Sequence, residues 1–267
     1  MVVSGAGEQV IVEREPPLGW CVINRPEAHN ALNAQVWRAL TEVISELTRD
    51  PAVRVIILRG AGDRAFIAGA DITEFPAIRG NAEMTAAYDQ LAARAWLAVH
   101  NAPQPVIAMI NGLCFGGGVS VALACDLRFA ADHARFAVPA ARLGLSYPME
   151  GGVERLVQVV GPTHAADILL SARTLNAEEA LQIGLVNRVV PRADLQRHTR
   201  DYALAMAEGA PLTLAAHKRA IQESLRPPSE RDTAGLREAM QRCFNSADYQ
   251  EGVAAFLAKR KPRFEGQ

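Results

Sequence analysis

The sequence has almost no net charge, since 28 basic side chains face 29 acidic ones and leave a formal charge of -1. Affinity for a polyanion comes mostly from neutralised phosphates, so a nucleic-acid-binding role has no electrostatic surplus behind it. Cysteine is scarce. Cys21, Cys114, Cys125 and Cys243 are scattered, with no C-x-x-C pair and no histidine at metal-ligand spacing. They are expected to be small buried hydrophobes in a reducing compartment, with no metal centre. The opening, Met1 to Gly7, lacks a basic start and an apolar stretch of signal-peptide length, which sets the expectation of a cytoplasmic protein. Residues Pro105 to Cys125 carry no charge and are about long enough to cross a bilayer. Their punctuation argues against that: Asn111-Gly112 signals a turn, and Gly116-Gly117-Gly118 would weaken any helix running through it. A buried strand, a turn and a buried helix are expected instead, with no membrane partner.

What is present is a large apolar fraction, 49% of 267 residues, enough for a sizeable core without staples. Val10 to Val12 and Trp20 to Ile23 flank Pro16-Pro17-Leu18-Gly19, the pattern of an antiparallel hairpin. From Asn33, a candidate N-cap, the positions Val36, Leu40, Val43, Ile44 and Leu47 recur at helical spacing until Asp50-Pro51. Val53 to Leu58 predicts a buried strand, Gly60 to Asp63 a turn, Ala65 to Ile72 an irregular segment, and Glu83 to His100 a helix. Leu127 to Ala130 and Arg135 to Val138 predict further short strands. After about Gly161 the pattern is mainly helical, with a capping box at Asn176 and Glu179 and a last strand at Val186 to Val190. Three or four amphipathic helices follow Pro191. The alternation predicts an α/β fold, with a core over 1–198 and a helical region over 199–267 that packs on the core or on a neighbouring subunit.

Two glycine-rich segments are expected where a strand hands over to a helix: Ala68-Gly69-Ala70-Asp71 after the Val53 to Leu58 strand and Gly116-Gly117-Gly118 after the Pro105 to Ile110 strand. Small residues there let a ligand approach the backbone, and free N–H groups at a helix start favour negative charge. Two such amides converging from separate loops would form an oxyanion hole, where one donor is typically worth about 3 kcal/mol of transition-state stabilisation. Either segment taken alone is better explained by tight packing.

The motifs around these glycines resemble the crotonase (enoyl-CoA hydratase/isomerase) superfamily. The resemblance runs through Asn24-Arg25-Pro26-Glu27-Ala28-His29-Asn30-Ala31-Leu32-Asn33, Ala65 to Ile72, Pro105 to Gly118, Ala124-Cys125-Asp126, Ala180 to Val190, and Ala255 to Lys261. It implies a spiral of β-β-α turns with a C-terminal helical trimerisation region, giving homotrimers that often pair into hexamers. It implies an acyl-CoA substrate, with coenzyme A part of that substrate and no separate cofactor. The amides of Ala70 and Gly117 would hold the thioester oxygen, and Ala28 and the Ala68 to Ile72 segment, with Asp71 and Ile72, would line the coenzyme site. Phe256 and Lys259 match positions that reach the coenzyme of an adjacent subunit in similar proteins; a solvated helix face is the alternative for Lys259.

One departure bears on the reaction. In hydratases of this superfamily one glutamate follows the glycine run by three residues, and a second follows a proline shortly afterwards. Those places here hold Ser120 and Ala140. Each missing general acid or base is worth about 10²- to 10⁴-fold in rate, so ordinary two-glutamate hydration is in doubt. Ser120 is then either a hydrogen-bond donor in the acyl pocket or a small residue filling the glutamate's place.

Replacements lie in Leu143 to Gly152, where relatives line the acyl pocket and where this chain holds one residue more than the usual pattern. Glu150, ahead of two glycines and a helix, is the candidate acid/base, expected to be partly buried with a raised pKa; a helix N-terminal acid favoured by the dipole is the alternative. Tyr147 resembles the tyrosine that holds the leaving carboxylate in malonyl-type acyl-CoA decarboxylases, or is an aromatic of the pocket wall.

Asp71 is expected to brace the oxyanion loop. Gly60-Ala61-Gly62-Asp63-Arg64-Ala65 fits a dinucleotide pattern only if a helix opens there. The six histidines share no face or ligand spacing. The expected activity is an enolate-stabilising lyase or isomerase step on an enoyl-CoA. Decarboxylation of a malonyl-type thioester, or silent acyl-CoA binding, are the alternatives.

Overall fold

The computed structural model describes residues 2–5 and 9–267, with side chains from residue 9 onward. Met1, Ala6 and Gly7 of the opening segment lie outside the described residues. Among the described residues eleven strands fall into two sheets. The larger contains β1 (Val2–Gly5), β2 (Val10–Glu15), β3 (Leu18–Ile23), β4 (Val55–Gly60), β6 (Val106–Ile110), β8 (Leu127–Ala131) and β11 (Arg188–Val190), in that spatial order. The smaller has the order β10-β9-β7-β5, with β5 (Ala65–Ile67), β7 (Leu113–Phe115), β9 (Arg135–Ala137) and β10 (Leu175–Asn176).

The hairpin expected around Pro16-Pro17 is present, with Val12 opposite Cys21 and Glu15 opposite Leu18. From β3 through β4, β6 and β8 to β11 the large sheet is parallel. Both faces of these strands are covered, which is why β4 and β6 read as unbroken apolar runs instead of alternating ones. Ile56, Leu58, Val106, Ala108 and Ile110 join one apolar cluster, while Val55, Ile57, Ile107 and Met109 join a second on the opposite face.

The helices cover the two faces. Helix α1 (Ala34–Arg49) starts where the Asn33 side chain accepts the Val36 N–H at 2.8 Å, and it buries Val36, Leu40, Val43, Ile44 and Leu47. Helix α2 (Phe75–Ile78) is a single turn; α3 (Ala82–His100) and α4 (Gly117–Ala124) follow. β4, β5 and α3, then β6, β7 and α4, form successive β-β-α turns. In each, the first strand joins the large sheet and the second the small sheet. This is the expected crotonase-like spiral. The uncharged stretch from Pro105 is thereby divided among β6, β7 and α4, and no described helix is long and apolar enough to cross a membrane.

Two of the three-residue strands escaped the sequence pattern, whereas β9 and β11 fall within the expected Arg135 to Val138 and Val186 to Val190. Ala65 to Ile67, expected to be irregular, is β5, and Leu113 to Phe115 is β7. So short a segment has no period to read, and only pairing with a neighbour makes it a strand. β1 was likewise not anticipated.

Helix α5 (Glu154–Ser171) is interrupted at Gly161, where φ is +78°, followed by Pro162. α6 (Ala177–Gln182) begins with the expected capping box between Asn176 and Glu179. Four helices follow Pro191: α7 (Leu195–Ala207), α8 (Pro211–Ser224), α9 (Thr233–Phe244) and α10 (Ala247–Leu257). The expected boundary at 198/199 falls inside α7, whose Leu195, Ala203 and Ala207 cover the second sheet face beside Trp20, Ile57 and Phe129. α8 is fixed to the core by Lys218, which is buried, meets the Asp126 carboxylate at 2.8 Å and donates to the Gln104 carbonyl at 3.1 Å.

Candidate active site

The loop after β5 is held by a segment far away in sequence. Asn30 is fully buried, and its side-chain amide donates to the carbonyls of Ala61 (3.0 Å) and Ala65 (2.8 Å) while its oxygen accepts the Arg25 N–H (3.0 Å). This locks the Arg25 to Asn33 segment against β5. Leu32 then forms a one-residue parallel bridge with Ala70. Its N–H donates to Gly69 O at 2.8 Å, and its carbonyl accepts from Asp71 N at 2.9 Å. Such a bridge uses the groups on either side of Ala70 and leaves the Ala70 N–H pointing away from the partner strand.

Asp71 closes this loop. One carboxylate oxygen accepts from Thr73 Oγ1 at 2.6 Å and the other from Arg25 at 3.0 Å. Arg25 also donates to Ala31 O at 2.7 Å. The Thr73 hydroxyl, with Arg25 behind it, holds the Asp71 carboxyl below the usual carboxylate range against the opposing effect of burial. These bonds tie Asp71 to Thr73 on one side and to Arg25 on the other.

The second loop leads into α4. Gly116 has φ +48° and ψ -113°, a conformation that disfavours side-chain-bearing residues, and its N–H donates to Ala137 O at 2.8 Å. Gly117 is the first residue of α4, where a helix amide has no partner within the helix. Among the described residues neither the Ala70 nor the Gly117 N–H has an acceptor. Both residues are half-buried. A Cβ built on Gly117 would stand 3.7 Å from Ala70 N, so the two loops converge on one small space.

The remaining candidates surround this place unevenly. Ser120, on α4, donates its hydroxyl to Gly151 O at 2.8 Å. Its own carbonyl accepts from Trp96 Nε1 at 3.1 Å. Ala140 is half-buried against the core on the turn formed by Pro139–Leu143. The Tyr147 hydroxyl donates to Gly116 O at 2.9 Å, and burial pushes its phenol pKa up. Glu150 is exposed, not partly buried as expected: φ -70° and ψ +130° put it in an extended kink between Met149 and Gly151, pointing its environment toward solvent. Ala28 and Ala68 are half-buried beside the loop, and Ile72 is exposed just after it. Phe256 and Lys259 lie exposed at the end of α10.

No helix opens at Gly60 to Ala65, where β4 ends and β5 begins, so the dinucleotide pattern has no structural counterpart. No group of three or more histidine, cysteine, aspartate or glutamate side chains stands together among the described residues.

Two positions at this site had no sequence signal. Trp96 clamps Ser120, and Tyr88 accepts from Trp37 Nε1 at 2.9 Å while donating to Leu32 O at 3.2 Å. Their partners are between 24 and 56 residues away, beyond any local pattern.

The family model for enoyl-CoA hydratase/isomerase matches residues 18–267. The chain belongs to that family of acyl-CoA enzymes. It is 36% identical over 259 residues to a crotonyl-CoA hydratase of Syntrophomonas wolfei, covering 97% of this chain and 98% of the relative. It is also 36% identical over 249 residues to a carnitinyl-CoA dehydratase of Escherichia coli O157:H7, covering 92% and 94%. Among solved structures, an enoyl-CoA hydratase/carnithine racemase from Magnetospirillum magneticum superimposes with a TM-score of 0.93 at 39% identity, covering 99% of this chain and 97% of that one. An enoyl-CoA hydratase from Bacillus anthracis gives 0.90 at 30% identity, covering 97% and 100%.

Proposed function

We propose that this enzyme moves the double bond of an enoyl-CoA thioester by a proton shift through an enolate. In this reading the Ala70 and Gly117 amides bind the thioester oxygen and Glu150 carries the proton. The observation that carries it is the convergence of two acceptor-free amides from separate loops, with a Gly117 Cβ position only 3.7 Å from Ala70 N. Donors already in place where charge develops stabilise it without reorganisation.

The proton inventory favours isomerisation over hydration. Hydration needs one group to take a proton from water and another to supply one to the α-carbon. The places that the family resemblance assigns to those groups hold Ser120 and Ala140, and the Ser120 hydroxyl proton is engaged by Gly151 O. A double-bond shift needs a single carboxylate. It removes the α-proton of a β,γ-enoyl thioester, the electron pair passes into a dienolate, and the same carboxyl returns the proton to the γ-carbon. Glu150 is the carboxylate on the loop tethered to Ser120, and no described residue pairs with it. Its exposure fits a group that meets solvent until substrate covers it.

Decarboxylation with Tyr147 is the weaker reading, because the Tyr147 hydroxyl proton is already directed at Gly116 O. The homotrimer or hexamer belongs to the proposal as well: Phe244, Phe256 and Leu257 stand exposed on α9 and α10, an apolar face suited to a second copy of the chain.

The test is Glu150→Gln assayed on β,γ-enoyl-CoA substrates, with hydration of the conjugated isomer followed in parallel. Turnover should fall by about 10²- to 10⁴-fold with binding retained. Unchanged turnover removes Glu150 from the mechanism. Carbon dioxide release from methylmalonyl-CoA would favour the decarboxylase instead, and tight thioester binding with no turnover on either panel would favour a silent binding protein.

A further inference from the structure

The peptide joining Gly116 to Gly117 has two ends, and they face different neighbours. Its N–H belongs to Gly117 and is free of any acceptor among the described residues. Its carbonyl oxygen accepts three hydrogen bonds: from Val119 N at 2.9 Å, Ser120 N at 3.2 Å and the Tyr147 hydroxyl at 2.9 Å. The first two are what the carbonyl before any helix receives from its opening turn. Tyr147 is the one side chain in the set.

In a trans peptide the C=O and N–H are conjugated and point in opposite directions. A donor on the oxygen therefore draws electron density away from the nitrogen and strengthens the N–H as a donor, as hydrogen bonds in a chain polarise one another. Orientation matters too. Gly116, at φ +48° and ψ -113°, lies outside α4, whose opening turn reaches this peptide only at its carbonyl oxygen, which leaves a side-chain contact to help aim it. The phenol that does so is itself fixed: the Tyr147 ring packs against the core and lies 3.1 Å from where a Cβ on Gly152 would be.

We propose that Tyr147 is a positioning residue that aims and polarises the Gly116–Gly117 peptide, so that the Gly117 N–H meets the thioester oxygen as a stronger donor. This rests on the oxyanion reading above. In this proposal Tyr147 acts through the peptide, its hydroxyl directed at Gly116 O. Burial raises the phenol pKa, which keeps the proton on oxygen and the donor intact across the working pH range.

The test uses sorbyl-CoA, a conjugated dienoyl thioester whose absorption moves to longer wavelength when its carbonyl is polarised. Wild-type protein saturated with sorbyl-CoA should show that red shift. Tyr147→Phe should show a smaller one, with kcat on a β,γ-enoyl-CoA down about tenfold, a fraction of what losing a whole oxyanion donor costs. KM should stay within about twofold, and the melting temperature should barely move, because Gly116 O keeps two donors. A full wild-type shift that Tyr147→Phe leaves intact, with kcat unchanged, overturns the role of Tyr147 and spares the oxyanion reading. Absence of any shift in wild type overturns that reading and this proposal together. If Tyr147→Phe does not fold, 3-fluorotyrosine placed at the same position keeps the shape and makes the hydroxyl a stronger donor. The shift should then exceed that of wild type, and an unaltered shift overturns the proposal.

Discussion

The hydroxyl of Ser120 donates to the carbonyl of Gly151, joining helix α4 to the loop on which Glu150 sits. Where the family resemblance expects a proton-transferring glutamate, this chain uses a short side chain as a tether. Trp96 completes the clamp: its indole N–H meets the Ser120 carbonyl, and its ring fills the space where a side chain on Gly151 would begin, 2.8 Å from the Cβ position.

Breaking the tether should loosen the Glu150 loop more than the fold. Ser120→Ala is expected to lower stability by about 1 kcal/mol, the ordinary net worth of a hydrogen bond, and to lower kcat several-fold. Gly151→Ala should cost more, about 1–3 kcal/mol, since φ is +68° there and the new methyl meets the Trp96 ring. Urea unfolding with steady-state assays reads both. Equal behaviour of Ser120→Ala and wild type in both measurements would count against the clamp.

Two adjacent glycines should fail in different ways. A Cβ on Gly118 would stand 2.3 Å from the Ile67 carbonyl, a backbone atom that cannot step aside, so Gly118→Ala should yield little folded protein. On Gly117 the nearest atom is Leu32 Cδ1 at 3.2 Å, the far end of a side chain, so Gly117→Ala should fold. Its methyl would intrude beside Ala70 N and cost about 10²-fold in kcat. Circular dichroism alongside kinetics separates the outcomes, and a fully active Gly117→Ala would contradict the site.

The Asp71 brace has a definite pH signature. Its carboxyl is held below the usual range, chiefly by the Thr73 hydroxyl and then by Arg25. A depressed folded-state pKa means the stabilising contribution is complete above about pH 4, the unfolded value, and is lost as pH falls through the lower folded value. Asp71→Asn should therefore be less stable than wild type by a constant margin of about 1–2 kcal/mol from pH 5 to 8, a charge-assisted hydrogen bond's worth. The margin should close only in strong acid. Denaturant titrations across pH will show whether it closes earlier, which would be the contrary result.

His100 predicts a second pH effect at higher pH. Its ring stacks on Trp96 at 4.6 Å between centroids, and burial, with Arg155 and Lys218 nearby, depresses its pKa to about 4. The unfolded chain takes up this proton at about pH 6.5, the folded one only near 4. Stability from neutral His100 is thus complete above about pH 6.5 and declines as pH falls toward 4, by at most one proton's slope. His100→Phe keeps the stack and should flatten that decline by the same amount. An unchanged pH slope in the variant would assign it to other groups.

Local signals carried much of the fold. Asn33 and the spacing of Val36, Leu40, Val43, Ile44 and Leu47 fixed α1, because a cap and a helical apolar stripe are properties of adjacent residues. The unbroken apolar runs of β4 and β6 announced strands covered on both faces. The resemblance of the glycine motifs pointed to Ala70 and Gly117, and the absence of two glutamates was visible at Ser120 and Ala140. β5 and β7 were not legible, since each is three residues set among turn and glycine signals and becomes a strand only by pairing. The burial expected of Glu150 failed because a kink turned the residue outward, and backbone direction in a glycine-rich turn is set by what packs against it.

By itself, then, the sequence determined most of the helices and the longer strands, which family the chain resembles, and that Ser120 and Ala140 stand where the resemblance implies glutamates. Those properties depend on residue type and on neighbours within a few positions. Only the tertiary structure decided that Ser120 tethers Gly151, that Trp96 closes over it, and that Tyr147 grips the Gly116 carbonyl. Each of those contacts joins residues 24 to 31 positions apart, and a hydrogen bond over such a span exists only once the sheets and helices have brought its two ends within about 3 Å.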